Sequence, residues 1–268
     1  MSTRANPGGK PVGFRGGGFA PKPRRLVAPV LFVTLFVVWE LGSRMGWIAP
    51  LILPAPSEAL EALRDLAASG MLWKHLSASL VRLVAGWSCG TLLGLAAGIV
   101  IGLFSLARAG FAPMVSALFP IPKIALLPLF IVWFGIGEGS KIATILFGSF
   151  FPTVIATYGG IDNVDRSLIR MGQSFNLSHA AIVRNIVLPA ALPAILSGMR
   201  ISASISIILL VAAEMIGAEF GIGAYVLMAG NLMATDQLLA GVAVLSILGL
   251  GVNALINRAE NHFLRWRA

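Results

Sequence analysis

Ser202, Ser206 and Glu214 lie in a run otherwise dominated by Ile, Leu, Ala and Val, "RISASISIILLVAAEM". On a helix the two serines stand one turn apart, and Glu214 follows two turns beyond Ser206, within about a quarter turn of the same side. A polar stripe with one carboxylate inside apolar sequence suits a solute pathway through a membrane. The same serines serve equally well to hydrogen-bond one helix to another, and Glu214, near the end of its run, can sit at the membrane surface. Lys123 is a second charge inside an apolar run; it either faces a pathway or reaches from the span end to lipid headgroups. Enzymatic chemistry is not encoded. His75, His179 and His262 are too scattered for metal ligation, so no metal site is expected, and no HExxH or phosphate-binding loop occurs. If ATP drives this chain, another chain must bind it.

The elements that must position these residues follow from composition. Of the 268 residues 57% are hydrophobic and 12% charged, and the mean hydropathy is +0.87. Apolar runs of helical length recur without the alternation of barrel strands, which predicts an all-α polytopic membrane protein. Six spans are predicted, at about residues 26–41, 80–106, 111–134, 142–159, 190–216 and 238–256. An amphipathic helix at 58–68, capped by Ser57 and too short and charged to span, is expected at the membrane surface. Residues 1–25, rich in Gly, Pro and basic side chains, read as a disordered cytoplasmic tail, with a cleaved signal peptide as the competing reading. The membrane domain then covers 26–260, with a cytoplasmic segment at 162–189 and a short tail at 261–268. This orientation places most of the 20 Lys and Arg inside: those of the first tail, Arg108, Arg166, Arg170, Arg184, Arg200 and those of the last tail. Topology thus explains the net charge of +9 better than a nucleic-acid partner, for which no groove-reading motif is present. Cys89 is the single cysteine and reads as a small packing residue.

Three stretches carry more than hydrophobicity. Gly86, Gly90, Gly94, Gly98 and Gly102 recur every fourth residue, forming one groove for close helix approach, either within the chain or with a second copy. Pro113, Pro120, Pro122 and Pro128 fall in the third span; each removes a backbone donor, so this span should be broken and should line a cavity or an interface. Between the fourth and fifth spans, "GQSFNLSHAAIVRNIVLPAALP" reads as helix, turn, short helix. Asn176 accepts the left-handed conformation that ends a helix, and Ser178 caps the next one. Ile182, Val183 and Ile186 give that helix an apolar face suited to a groove on a soluble partner, and Leu188-Pro189 is expected to stop it.

This segment resembles the EAA loop of permease subunits of bacterial ABC importers. Aligned from Leu188-Pro189, Arg170, Met171 and Gly172 stand where the family has Glu-Ala-Ala, and Asn176 where it has Gly. Arg170 removes the acidic group, so that group's contact cannot be carried over. "LPAPSEAL", "HLSASLVRLVAGWSCGTLLG", "PIPKIALLPLFIVWFGIGEGSKI", "VLPAALPAILSGMRI" and "AAEMIGAEFGIGAYV" are similar to the nitrate/sulfonate/taurine branch of that family across about residues 50–260. The resemblance implies a type I ABC importer permease fold and a homodimer in the bacterial inner membrane. It further implies two cytoplasmic ATPase subunits that bind ATP and Mg, and an extracytoplasmic substrate-binding protein. The coupling positions it implies are Arg170, Met171, Gly172, Asn176, Ser178, His179, Ile182, Val183, Ile186 and Pro189. The expected cargo is a small anion such as a sulfonate, taurine or nitrate, with bicarbonate, a pyrimidine vitamin precursor or an aromatic acid as alternatives. An ion-coupled secondary transporter, with Glu214 or Glu40 as the ion carrier, is the reading from a different class. A membrane enzyme is the third.

Overall fold

The computed structural model describes residues 26–264. The two tails and the signal-peptide reading fall wholly or partly outside the described residues. In chain order the helices are α1 (Val27–Arg44), α2 (Pro56–Ala68), α3 (Met71–Leu103), α4 (Ser105–Leu118), α5 (Leu127–Phe134), α6 (Glu138–Asp162), α7 (Arg166–Ser174), α8 (His179–Ile182), α9 (Leu188–Met215), α10 (Ile222–Asn231) and α11 (Thr235–Phe263). Among the described residues five helical stretches are long and apolar enough to cross a membrane, or six if a bent pair counts as one span.

The chain divides into two units at Ser57. In the first, α1 is an apolar helix with nearly every side chain exposed. The loop after it folds back, with Trp39 Nε1 donating to Pro54 O (3.0 Å) and Ser43 Oγ to Leu53 O (3.2 Å). Ser57 does not cap α2 as its sequence position suggested. The helix begins one residue earlier, at Pro56, where a proline's missing N–H costs nothing. Ser57 instead gives its amide (3.1 Å) and hydroxyl (2.7 Å) to the two oxygens of Glu40.

In the second unit α3, α6 and α9 make the central bundle. The glycines of α3 form the predicted groove, and it is filled from within the chain. Gly86, Gly90, Gly94, Gly98 and Gly102 face Ile145, Ser149, Thr153, Thr157 and Ile161 of α6 in turn, so the two helices run parallel. A β-carbon on Gly94 would stand 2.7 Å from Phe150 O and 2.9 Å from Thr153 Cβ. The hydroxyls of Thr153 and Thr157 turn back to carbonyls of their own helix, 2.9 Å to Ser149 O and 2.7 Å to Thr153 O, which leaves their methyl groups free to meet α3. α9 crosses α6 in the opposite sense, again on small residues: Gly148 meets Leu209, Gly160 meets Ala191 and Ala194, and Gly198 meets Ala156. Without a hydrophobic drive in lipid, close packing of this kind is what holds helices together.

The proline-rich third span is broken, as its donors' absence required: α4 and the stretch Lys123–Phe134 meet at 93°. One element escaped the sequence reading. α10 has 10 residues, half the length that registers as a span, and its Ile222, Gly223, Tyr225 and Ala229 are buried.

Candidate functional site

The polar residues inside the bundle cluster where α3 and α6 begin and α9 ends. Arg82 of α3 is buried and reaches two carboxylates. Its Nη1 donates to Glu214 Oε1 (2.8 Å) and to Phe220 O (2.6 Å), while Nε and Nη2 form a bidentate pair with Glu138 (2.5 and 2.6 Å). Glu214 is fully enclosed and also accepts from Ser79 Oγ (2.8 Å) and from the Gly223 amide (2.9 Å) in the first turn of α10. An acceptor placed there uses a free helix N-terminal donor and the favourable end of the helix dipole. Ser79 Oγ in turn accepts from Ile222 N (2.9 Å), and His75 Nδ1 accepts from Gly221 N (3.1 Å). Gly221 has φ +146°, and a β-carbon there would stand 2.4 Å from the Glu214 carboxyl carbon; the loop can approach the ion pair only as glycine. Lys141, buried beside them, gives its ammonium to Gly137 O (2.9 Å).

Glu214 is therefore enclosed and ion-paired, and its bonds, with those of Arg82, join α3, α6, α9 and α10. Arg82, Glu138, Ser79 and His75 are the residues that sequence reasoning missed. The available signal was Arg82 itself, an intramembrane cation three residues inside a predicted span, for which a carboxylate partner is obligatory.

Lys123 is also spent inside the chain. Its ammonium donates to the carbonyls of Leu118, Phe119 and Ile121, each at 2.8 Å, and lies 4.6 Å from the centre of the Phe151 ring. The cause is local. Leu118 O would be served by the amide four residues on, but that residue is Pro122, which has none. The side chain supplies the donors that the break removes, at the carbonyl end of α4 where a cation is favoured. Neither snorkelling nor a pathway charge describes it.

The two serines bind helix to helix or lie buried. Trp87 Nε1 of α3 donates to Ser202 Oγ (3.0 Å), which donates to Met199 O (2.8 Å). Ser206 is wholly buried, and its hydroxyl has no partner among the described residues. The structure thus brings Glu214 to Arg82 but does not bring Ser202, Ser206, Glu214 and Lys123 to one open channel wall.

The segment between α6 and α9 has the opposite character. Asp165 caps α7 by accepting from Ser167 N (2.8 Å), and this bond holds its carboxyl below the usual carboxylate range. α7 ends at Ser174, and Asn176 just beyond it has the φ of +57° of the left-handed turn the sequence predicted. Ser178 caps α8, accepting from Ala181 N at 3.3 Å. Gly172 is buried against Ile182 and Ile186; a β-carbon there would stand 2.8 Å from Ile186 Cδ1. Ile182 is buried, and Ile186 is partly buried, packing with Ile161, Val187 and Ile195. The apolar face expected to point at a partner is thus turned inward, because it is also the face that anchors the segment to the bundle; Val183, beside it, is half-buried. Among the side chains left outside are Met171, Phe175, Leu177, His179 and Arg170.

Leu188-Pro189 does not stop the helix. Residues Val183–Val187 form a π turn, whose wider backbone relieves the clash a proline makes with the preceding turn. The helix runs from His179 through Pro189 to Met215, 37 residues in all.

An all-helical bundle that spends its internal charges on holding helices, and keeps an outward turn rooted in its longest helix, is built as a membrane subunit that works with other chains. Residues 90–267 match the family described as "Binding-protein-dependent transport system inner membrane component". The chain belongs to that family. It is 39% identical over 233 residues to the taurine transport system permease protein TauC of Escherichia coli (strain K12), covering 84% of this chain and 85% of that one. It is 37% identical over 244 residues to the permease protein SsuC of the same organism, named for aliphatic sulfonates transport, covering 90% and 92%. Among solved structures, an inward-facing form of the MetNI methionine ABC transporter shares the fold with a TM-score of 0.61 at 21% identity, over 72% of this chain and 96% of that one. An amino acid ABC transporter shares it with a TM-score of 0.57 at 15% identity, over 76% and 97%.

Proposed function

We propose that the chain, as a homodimer, forms the translocation pathway of an ATP-driven importer for taurine or a related small sulfonate in a bacterial inner membrane. Its tails and the α7–α8 segment face the cytoplasm, where the positive-inside rule puts most of its Lys and Arg. Two separate ATPase subunits hold ATP and Mg, and a binding protein delivers solute on the other side. The chain itself carries no catalytic step.

The observation that carries this reading is the exposed turn around Asn176, fixed by two capped helices and continuous with α9 through the π turn. ATPase closure pressing on α8 displaces α9 as a rod, and α9 ends in the Glu214–Arg82 pair that holds α3 and α10. Each protomer then moves as a body, the rigid form of alternating access. Specificity falls to the binding protein, since Lys123 has its donors engaged by carbonyls. The relatives named for taurine and sulfonates support the solute class. An ion-coupled carrier needs a carboxylate free to load and release its ion, whereas Glu214 is locked to Arg82 and Glu40 to Ser57.

The test is uptake of radiolabelled taurine into proteoliposomes carrying this chain with its ATPase and binding protein. Uptake that requires internal ATP and competes with alkanesulfonates is expected. Uptake by this chain alone, without ATP, would overturn the reading.

A further inference from the structure

From Arg166 to Ala213 the chain contains no Asp or Glu. Of the four arginines there, Arg200 is ion-paired with Glu260, while Arg166, Arg170 and Arg184 are exposed and form no ion pair among the described residues. The acids at the segment's edge are already engaged, Asp162 with Arg108 and Asp165 with the Ser167 amide. On α7, Arg166 and Arg170 stand about one turn apart on one flank, and Leu168, Met171 and Phe175 run along the other. Arg184 lies beyond the Asn176 turn.

Arginines at a span end commonly sit among anionic lipid headgroups. Two observations favour a protein surface instead. The three cations share their segment with the exposed rings and chains of Phe175 and Leu177 and with polar His179 and Asn185. They are also held on a preorganised turn, with Asn176 at φ +57° and Ser178 as a cap, a fixed geometry that a fluid headgroup layer does not demand.

We propose that the ATPase surface receiving α7 and α8 is acidic, presenting carboxylates to Arg166, Arg170 and Arg184, and that this charge match selects which ATPase the permease accepts. The inference rests on the importer reading above. Arg170 stands where the resembling family carries Glu, so this chain presents the opposite charge at that position. Exposed charges of this kind govern association rate and partner choice more than final affinity, and they act within a Debye length that salt shortens. The apolar side chains of the segment supply the salt-insensitive part of the contact.

The experiment has two stages. First, the tagged chain is purified in mild detergent, and the ATP-binding subunit that comes with it at equal stoichiometry is identified; its absence would overturn the importer reading itself. Second, that ATPase, expressed alone, is measured binding to the chain in nanodiscs of phosphatidylcholine, which carries no net charge. The association rate should fall about tenfold as salt rises from low to physiological strength and beyond. The triple variant R166Q/R170Q/R184Q should bind slowly and without that salt dependence, and the triple Glu variant more slowly still. Wild-type binding indifferent to salt, or unchanged binding of the Gln variant, would overturn the proposal. Should the Glu variant fail to fold, the wild-type salt profile and the Gln variant still decide. If the Gln variant loses only its affinity for vesicles containing phosphatidylglycerol, the arginines serve the lipid surface and the proposal falls.

Discussion

The two ends of the α9 rod use polarity in opposite ways. At one end Arg82, Glu138, Glu214, Ser79 and His75 bond to one another and to the backbone that enters α10, and Arg82 and Glu214 are spent inside the chain. At the other, Arg166, Arg170, Arg184, Phe175 and Leu177 stand exposed on a segment whose anchoring side, Gly172, Ile182 and Ile186, is packed. A charge satisfied inside the chain marks where the fold is held; a charge left over marks where another molecule is met. Residue type alone does not separate the two, since arginine occurs at both ends.

This contrast is open to attack at four points. The largest effect belongs to the enclosed pair. R82M leaves the enclosed Glu214 uncompensated, at a cost of about 3–5 kcal/mol, and should sharply lower the yield of monodisperse protein in detergent, whereas E214Q leaves Arg82 its bidentate pair with Glu138 and should lower it less. The double change R82M/E214L should recover much of that yield; equal yields for single and double variants would show that the pair does not hold the helices. G94L comes next. Its side chain meets Phe150 O and Thr153 of α6, costing about 1–3 kcal/mol through overpacking, and thermal unfolding should begin at lower temperature, with normal stability arguing that α3 and α6 can separate cheaply.

At the exposed end the effects are smaller in stability and larger in partnership. N176V forces a β-branched residue into the left-handed region, at roughly 1–2 kcal/mol, and should reduce ATPase co-purification while leaving the bundle's melting intact. An unchanged ATPase yield would remove the turn from the docking surface. The smallest effect is the Asp165 cap. Its carboxyl titrates below the usual range because it accepts the Ser167 amide, so its contribution is complete above the ordinary carboxylate pKa and is lost as pH falls through the lowered value. Amide exchange at Ser167, corrected for intrinsic rates, should quicken as acid protonates it, and D165A should show fast exchange at every pH.

Much of this architecture was legible in the sequence because lipid demands long apolar helices and close small-residue contacts. The glycine groove named its own face, though not its partner: Ile145, Ser149 and Thr153 are unremarkable until α6 is laid against α3. The break in the third span was legible from missing donors at its prolines. Its repair by Lys123 was not, because a side chain that curls onto carbonyls two to five residues back leaves no periodic trace. Pro189 misled for a related reason, since the rule that proline ends a helix assumes the regular turn before it, and here that turn is widened. α10 was lost to its length, and Arg82 because its partners Glu138 and Glu214 lie 56 and 132 residues away along the chain. The Asn176 turn and the Ser178 cap fall where the residue types put them, whereas Ile182 and Ile186 pack on the bundle, a facing that spacing alone does not settle.

Because α8 continues into α9 without interruption, the distance and angle between the exposed turn and the Arg82 pair are set by residue count alone. At 1.5 Å and 100° per residue, the 37 residues from His179 to Met215 extend roughly 55 Å, and one inserted residue would turn one end by more than a quarter circle against the other. A change in length within this stretch would therefore have to come as near-whole turns or be absorbed at the π turn, where the rod already carries a residue out of step.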